Sequence, residues 1–226
     1  MKEYDPTAKK VIVTDMDEVL VNISHIWYNL LTSKRTFDTH FNYNKDWTPS
    51  DILNRDEYYL NKWLLKDGVG ELPPDKLQEF LAVYDTPTFY QDHCSLTTFG
   101  NGIRLMGMQQ VIGKIYVLSH CVSQQSADSK CKFLSKVYKD ISGKVEFIPI
   151  FNDNVDKPAK YEFLKNVDFD MYAEDRLDVV EDVIDNVDSA GKEFIMPNLG
   201  YNKVTPEFIE KIAMNDIQYS RYDNVF

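Results

Sequence analysis

Two acids separated by one residue, Asp15 and Asp17, stand at the end of the run Lys9-Lys10-Val11-Ile12-Val13-Thr14. A short apolar run rich in β-branched residues reads as a buried strand. In an open α/β sheet, ligands bind at the carboxyl ends of central strands. Two acids placed there can divide the work, with Asp15 as a nucleophile and Asp17 as its acid/base partner. They can also aim a side chain and a backbone carbonyl at one cation. A helix N-cap would account for one Asp after a strand, but not for two.

Asp15-Met16-Asp17-Glu18-Val19-Leu20 resembles motif I of the haloacid-dehalogenase superfamily of phosphatases, Asp-x-Asp-x-[Thr/Val]. Met between the acids and Val-Leu after them are similar to the 5'(3')-deoxyribonucleotidase branch. The resemblance implies three further stations. Ser119, ending a second strand, takes the motif II position, where a hydroxyl can bond a phosphoryl oxygen. Lys157, in Asp156-Lys157-Pro158, takes the motif III position, with Lys160 a competing candidate. Its ammonium would offset the charge shared by Asp15 and a transferring phosphoryl group. Glu174-Asp175-Arg176-Leu177-Asp178 matches motif IV. There Asp175 is implied as a metal ligand beside Asp15 and Asp17, while Glu174 and Asp178 act through water or behind the ligands. The branch has Asp where Glu174 stands; the Glu-Asp version resembles sugar-phosphate phosphatases and mutases.

Carboxylates converging on one sheet edge repel one another and raise one another's pKa values. A hard cation resolves the conflict, and oxygen-only ligands beside a phosphate favour Mg²⁺ over zinc. The histidines His25, His40, His93 and His120 show no paired metal-ligand spacing, and His120 reads as packing. The implied reaction has two steps. Asp15 attacks phosphorus while protonated Asp17 donates to the leaving oxygen, and Asp17 then activates water against the aspartyl-phosphate.

These residues must be positioned by the elements around them. A first strand covers 10–17, followed by helical spacing over 18–33. Two amphipathic helices are predicted at about 50–66, opened by Thr48-Pro49-Ser50-Asp51, and about 74–85, after Pro73-Pro74. The second strand, Lys114–Ser119, comes far later than the roughly dozen residues of a simple crossover. A helical unit over 22–110 is therefore inserted into a core formed by 1–21 and 111–226. The resemblance implies that it is a C1 cap, and Thr86-Pro87-Thr88-Phe89-Tyr90 resembles the branch's cap exit. Beyond Ser119 the pattern alternates. A helix covers about 123–139, with Ala127, Cys131, Leu134 and Tyr138 on one stripe, and strand Val145–Phe151 follows. A short helix with Pro158 in its first turn leads to strand Asp170–Ala173 and a helix bearing Val180, Val183, Ile184 and Val187. Strand Glu193–Met196 and a helix over about 205–215 complete the pattern. Such alternation predicts a doubly wound, Rossmann-like parallel sheet.

The chain has 226 residues, 43% hydrophobic and 27% charged, with net charge −11. That balance excludes a duplex nucleic-acid binder, which needs a basic stripe. Three cysteines without CxxC spacing predict free thiols in a reducing compartment. No leader-like apolar segment and no run of ~18 apolar residues is present, so the expectation is cytoplasmic, with no membrane partner. The leading expectation is a Mg²⁺-dependent 5'-nucleotidase acting on deoxynucleoside monophosphates. The cap's Phe41, Trp47, Tyr58, Tyr59 and Trp63 offer base platforms, with Trp47, Trp63 and Tyr58 the first candidates. The alternative within enzymes is a phosphatase or mutase for a sugar phosphate or another small phosphomonoester. Outside enzymes, the alternative is a binding module without catalysis, against which the intact Asp15 and Asp17 argue. The oligomeric state is open, a homodimer included.

Overall fold

Ile12 and Val13 are neighbours in sequence, both wholly buried, and belong to different hydrophobic clusters. A strand buried on both faces is an interior strand of a parallel sheet. The computed structural model, which describes residues 9–34, 37, 39–42, 47–151 and 160–223, has that strand at its centre. β1 (Lys10–Thr14), β2 (Ile112–His120), β3 (Val145–Ile150), β4 (Met171–Ala173), β5 (Glu193–Pro197) and β6 (Gln218–Tyr222) form one sheet. Every pairing is parallel, and the order is β3-β2-β1-β4-β5-β6. The chain winds outward from β1 to β3 and then crosses back to β4. The switch point where such sheets bind ligands thus lies between β1 and β4. In register, Thr14 faces Val117 on one side and Ala173 on the other. Asp15, Ser119 and Glu174 consequently emerge along one edge.

One face of the sheet packs Ile12, Ile115, Val117 and Ala173 against Phe89, Tyr90, Ile103, Phe133 and Tyr138. These come from α5 (Phe89–His93), α6 (Thr98–Met108), α7 (Gln124–Val137) and the residue that follows α7. The other face packs Val13, Leu118, Tyr172 and Phe194 against Leu164, Val180, Val183 and Phe208. These belong to the helices Lys160–Leu164, Leu177–Asn186 and Pro206–Met214. A third cluster, from Tyr28 to Val83, is the core of the helical insertion. It is built from the helices Ser24–Lys34, Pro49–Leu53, Leu60–Trp63 and Pro74–Ala82.

Several elements differ from the sequence reading. The predicted helix over 18–33 begins only at Ser24. Glu18 has φ 58°, which breaks a right-handed helix, and its Oε1 accepts the Ser24 N–H at 2.6 Å to start the helix there. The predicted helix over 50–66 is two short pieces. Arg55, buried, donates to the carbonyls of Ile52 and Tyr58, both at 2.9 Å, and so takes up acceptors a continuing helix would use. The strand β6 had no sequence signal because Gln218-Tyr219-Ser220-Arg221-Tyr222 is a partly exposed edge without an apolar run. Cys131, placed on the apolar stripe of α7, is exposed, and Lys130 takes the buried position. The predicted first turn at Pro158 lies outside the described residues. Among the described residues no helix is long and apolar enough to cross a membrane.

The insertion docks on the core through backbone. The Gly200 N–H donates to the Leu53 carbonyl at 3.0 Å. A Cβ at Gly200 would lie 2.1 Å from the Asn54 carbonyl oxygen, so only glycine permits the approach. Gly200→Ala is expected to cost at least the roughly 1–3 kcal/mol of an overpacked site. The readout is a lower melting temperature together with faster proteolytic cleavage within residues 47–83. An unchanged melt and digest would contradict this docking.

Candidate active site

Asp15 follows β1 directly and is held there by its backbone, whose N–H donates to the Ala173 carbonyl at 2.8 Å. Its side chain is buried, and Oδ1 accepts from Lys160 Nζ at 2.7 Å. The same ammonium donates to Glu174 Oε2 at 2.7 Å, which also accepts the Tyr172 hydroxyl at 2.6 Å. Lys160, the competing candidate for the motif III position, therefore lies against Asp15. Lys157 lies outside the described residues.

Asp175 is buried beside Glu174, and its Oδ2 accepts the Tyr201 hydroxyl at 2.5 Å. Asp15, Glu174 and Asp175 each offer a carboxylate oxygen within 4.8 Å of the others. Burial, then Glu174 and Asp17, push the Asp15 carboxyl up to about 7 against the pull of Lys160. Burial, Glu174 and Asp15 hold Asp175 well above the usual carboxylate range. Burial also opposes ionisation of Glu174, but Lys160 and the Tyr172 hydroxyl outweigh it and hold that group below its ordinary value. Were all three carboxylates ionised, one ammonium would leave two negative charges unbalanced, and the raised pKa values of Asp15 and Asp175 answer that crowding. An all-oxygen donor set with that deficit fits a hard divalent cation such as Mg²⁺.

Asp17 points away from this trio. Its Oδ2 accepts from Lys130 Nζ at 2.7 Å and its Oδ1 from the Tyr90 hydroxyl at 2.8 Å. Lys130 is 1% exposed and also donates to Ser119 Oγ and the His120 carbonyl, both at 2.8 Å. Burial disfavours its charge, but Asp17 more than compensates and raises its pKa. Lys130 thus joins Asp17 to Ser119. The sequence reading missed it, although its spacing from Ala127 and Leu134 puts it on the apolar face of α7. Asp178 does not converge with the other acids. It is exposed and paired with Arg176, with Nε–Oδ1 at 3.1 Å. A position in the first turn of the helix Leu177–Asn186 turns it outward.

Asp15, Asp17, Ser119, Lys160, Glu174 and Asp175 floor a cavity of about 420 Å³. Trp27, Arg55, Tyr58, Tyr59, Phe80 and Tyr84 of the insertion and its exit wall the remainder. Tyr58 therefore faces the site, with its ring 4.8 Å from the Arg176 guanidinium carbon. Trp47 and Trp63 do not line the cavity. They stack on each other, centroids 4.3 Å apart, against the core of the insertion, because paired indoles bury more surface together than apart. His120, next to Ser119, lines the cavity.

The fold and site define a doubly wound α/β protein with a helical insertion closing over buried carboxylates. Among solved structures, the chain is similar to a haloacid-dehalogenase-like family hydrolase from Streptococcus pneumoniae, at 12% identity and TM-score 0.54. That match covers 95% of this chain and 94% of the other and establishes the shared fold. It is also similar to CbbY from Rhodobacter sphaeroides in complex with phosphate, at 13% identity and TM-score 0.49, covering 88% and 90%. No family model and no curated protein matches the sequence.

Lys160 is the counter-charge for two buried carboxylates, so Lys160→Met in the presence of a chelator should destabilise the fold by about 3–5 kcal/mol. Without the ammonium, the Asp15 carboxyl rises further in the folded state and Glu174 loses the charge that holds it below its ordinary value. A folded-state pKa raised above the unfolded one gives stability that is lost as pH increases. The deficit against wild type should therefore be larger at pH 8 than at pH 5, measured by urea unfolding. A pH-independent deficit would contradict this charge balance.

Proposed function

We propose that this chain is a Mg²⁺-dependent phosphomonoester hydrolase working through an aspartyl-phosphate on Asp15, with nucleoside monophosphates as its substrate class. One observation carries the reading: Lys160 bridges Asp15 and Glu174 at the β1–β4 switch point, while Asp17, two residues on, faces the same cavity. Ion-pair networks also occur for purely structural reasons, but here the paired groups floor a cavity large enough for a small substrate.

An oxygen of Asp15 attacks phosphorus, and the ester P–O bond breaks towards the leaving oxygen. Asp17 in its protonated form gives that oxygen its proton and then takes one from the attacking water, whose addition breaks the bond from phosphorus to Asp15. Lys130 and the Tyr90 hydroxyl fix the direction in which Asp17 works. Lys160 and Ser119 offer a cation and a hydroxyl to the phosphoryl oxygens as charge shifts onto them. Asp15, Glu174 and Asp175 would hold the Mg²⁺, which supplies further charge neutralisation when bound.

The walls support a substrate with a flat apolar end. Tyr58, Tyr59, Trp27 and Tyr84 offer aromatic surface, and aromatic faces suit any base. Glu174 in place of Asp favours the second reading, a sugar phosphate as substrate. A screen of nucleotides and sugar phosphates with Mg²⁺ and with EDTA tests the proposal. Hydrolysis should require Mg²⁺, and activity in EDTA equal to that in Mg²⁺ would refute the metal-dependent reading. At saturating Mg²⁺, Tyr58→Ala should lower kcat/KM for the preferred nucleotide by about 1–3 kcal/mol, with much less change for p-nitrophenyl phosphate. Trp63→Ala, outside the cavity, should affect both substrates alike. An equal loss on both substrates for Tyr58→Ala would hand the substrate assignment to the sugar phosphates.

A further inference from the structure

Tyr201 lies in the loop after β5 and takes part in nothing described above except its bond to Asp175. Its surroundings come from both parts of the molecule. On the core side, its hydroxyl donates to Asp175 Oδ2 at 2.5 Å. Its neighbour Asn202 donates to the Asp175 backbone carbonyl at 2.8 Å and the Pro197 carbonyl at 3.0 Å, which ties the loop to the same strand end. On the insertion side, the Arg55 guanidinium carbon lies 4.7 Å from the centre of the Tyr201 ring. Tyr58 meets that ring edge to face at 5.2 Å. Gly200, one residue earlier, carries the backbone bond to Leu53. The ring is thus clamped by the insertion while its hydroxyl is clamped to a carboxylate of the candidate cation site.

Arg55 is a charge partner of the buried Glu18 carboxyl. It is 4% exposed, its terminal nitrogens serve the carbonyls of Ile52 and Tyr58, and its buried Nε has no hydrogen-bond partner. The guanidinium also lies against the Tyr201 ring, where a cation–π contact offsets part of the cost of burying its charge. Tyr201 is thus one of the contacts between insertion and core, beside the Gly200–Leu53 backbone bond and the Tyr58–Arg176 contact. The free end of the Tyr201 phenol reaches Asp175.

We propose that Tyr201 is a positioning residue for Asp175, and that through it the docking of the helical insertion sets the cation affinity of the sheet edge. The inference rests on the cation-site reading above. A carboxylate that ligates a metal needs its other oxygen held, and loss of such a support typically costs ten- to a hundredfold in affinity. Tyr201 supplies that support only while its ring is held in place. Removing the hydroxyl and removing the clamp should therefore have the same consequence.

The test is titration of the full chain with Mn²⁺ as a probe cation, followed by electron paramagnetic resonance of the free ion. Tyr201→Phe keeps the ring and its contacts with Arg55 and Tyr58, and should weaken Mn²⁺ binding about ten- to a hundredfold. Its melting temperature in chelator should stay close to wild type. Arg55→Met keeps the hydroxyl but frees the ring, and should also weaken binding. In an Asp175→Asn background, Tyr201→Phe should have little further effect, because the two residues act as one unit. Wild-type affinity in Tyr201→Phe overturns the positioning role and leaves the cation site standing. Weakened binding in Tyr201→Phe with wild-type affinity in Arg55→Met overturns the link to the insertion. Absence of Mn²⁺ binding by the wild-type chain overturns both the inference and the cation-site reading on which it rests.

Discussion

The ammonium of Lys160 stands between two carboxylates that have almost no access to water, and the rest of the sheet edge is arranged around that contact. Lys160 is 3% exposed, Glu174 1% and Asp15 6%. Bringing such groups out of water costs several kcal/mol each, and the cost is recovered only if each charge meets its opposite at hydrogen-bond distance. The order of the strands meets that demand. β1 and β4 lie side by side, so Asp15 and Glu174 emerge together, and the helix Lys160–Leu164 brings the lysine over both. Adding Asp175 to the same spot exceeds what one lysine can neutralise. That surplus of acid is the feature on which the proposed divalent-cation site rests.

Asp17 has been separated from that crowd. Two residues along the chain, it faces Lys130 and Tyr90 instead of Lys160. One pair of adjacent acids therefore has two electrostatic environments, each with its own lysine. Neighbouring carboxylates can hold different chemical roles when their surroundings differ in this way. The left-handed turn at Glu18 contributes to the separation, because it redirects the chain immediately after Asp17.

Much of this was legible in the sequence, and the reasons for the rest are local. The β-branched run before Asp15 and the apolar runs before Ser119 and Glu174 marked three strand ends, because buried parallel strands leave a strong periodic signal. The insertion was legible from the distance between Asp17 and Ser119. The choice between Lys157 and Lys160 was not, since it depends on where a short helix begins after β3, and neither lysine differs in type. Lys130 was hidden by its chemistry. A lysine in a helix reads as solvated surface, and only its alignment with Ala127 and Leu134 betrays that it points inward. Tyr201 had no periodic context, as it sits in the Asn198-Leu199-Gly200-Tyr201-Asn202 loop. The stacking of Trp47 on Trp63 shows why aromatic density in the insertion overstated the number of residues facing a substrate. Large rings are also the cheapest way to fill the core of a small helical unit.

The central claim is that the buried edge exists to let Asp15 carry a phosphoryl group between one oxygen and another. The most direct measurement is chemical. The protein is quenched in acid during turnover of a ³²P-labelled phosphomonoester chosen from the screen. It is then reduced with borohydride, which converts an acyl-phosphate on aspartate to homoserine, and mapped by peptide sequencing. Transient label is expected on the peptide containing β1, with homoserine at position 15. Turnover with no label on the protein, or label carried by any other residue, would contradict it.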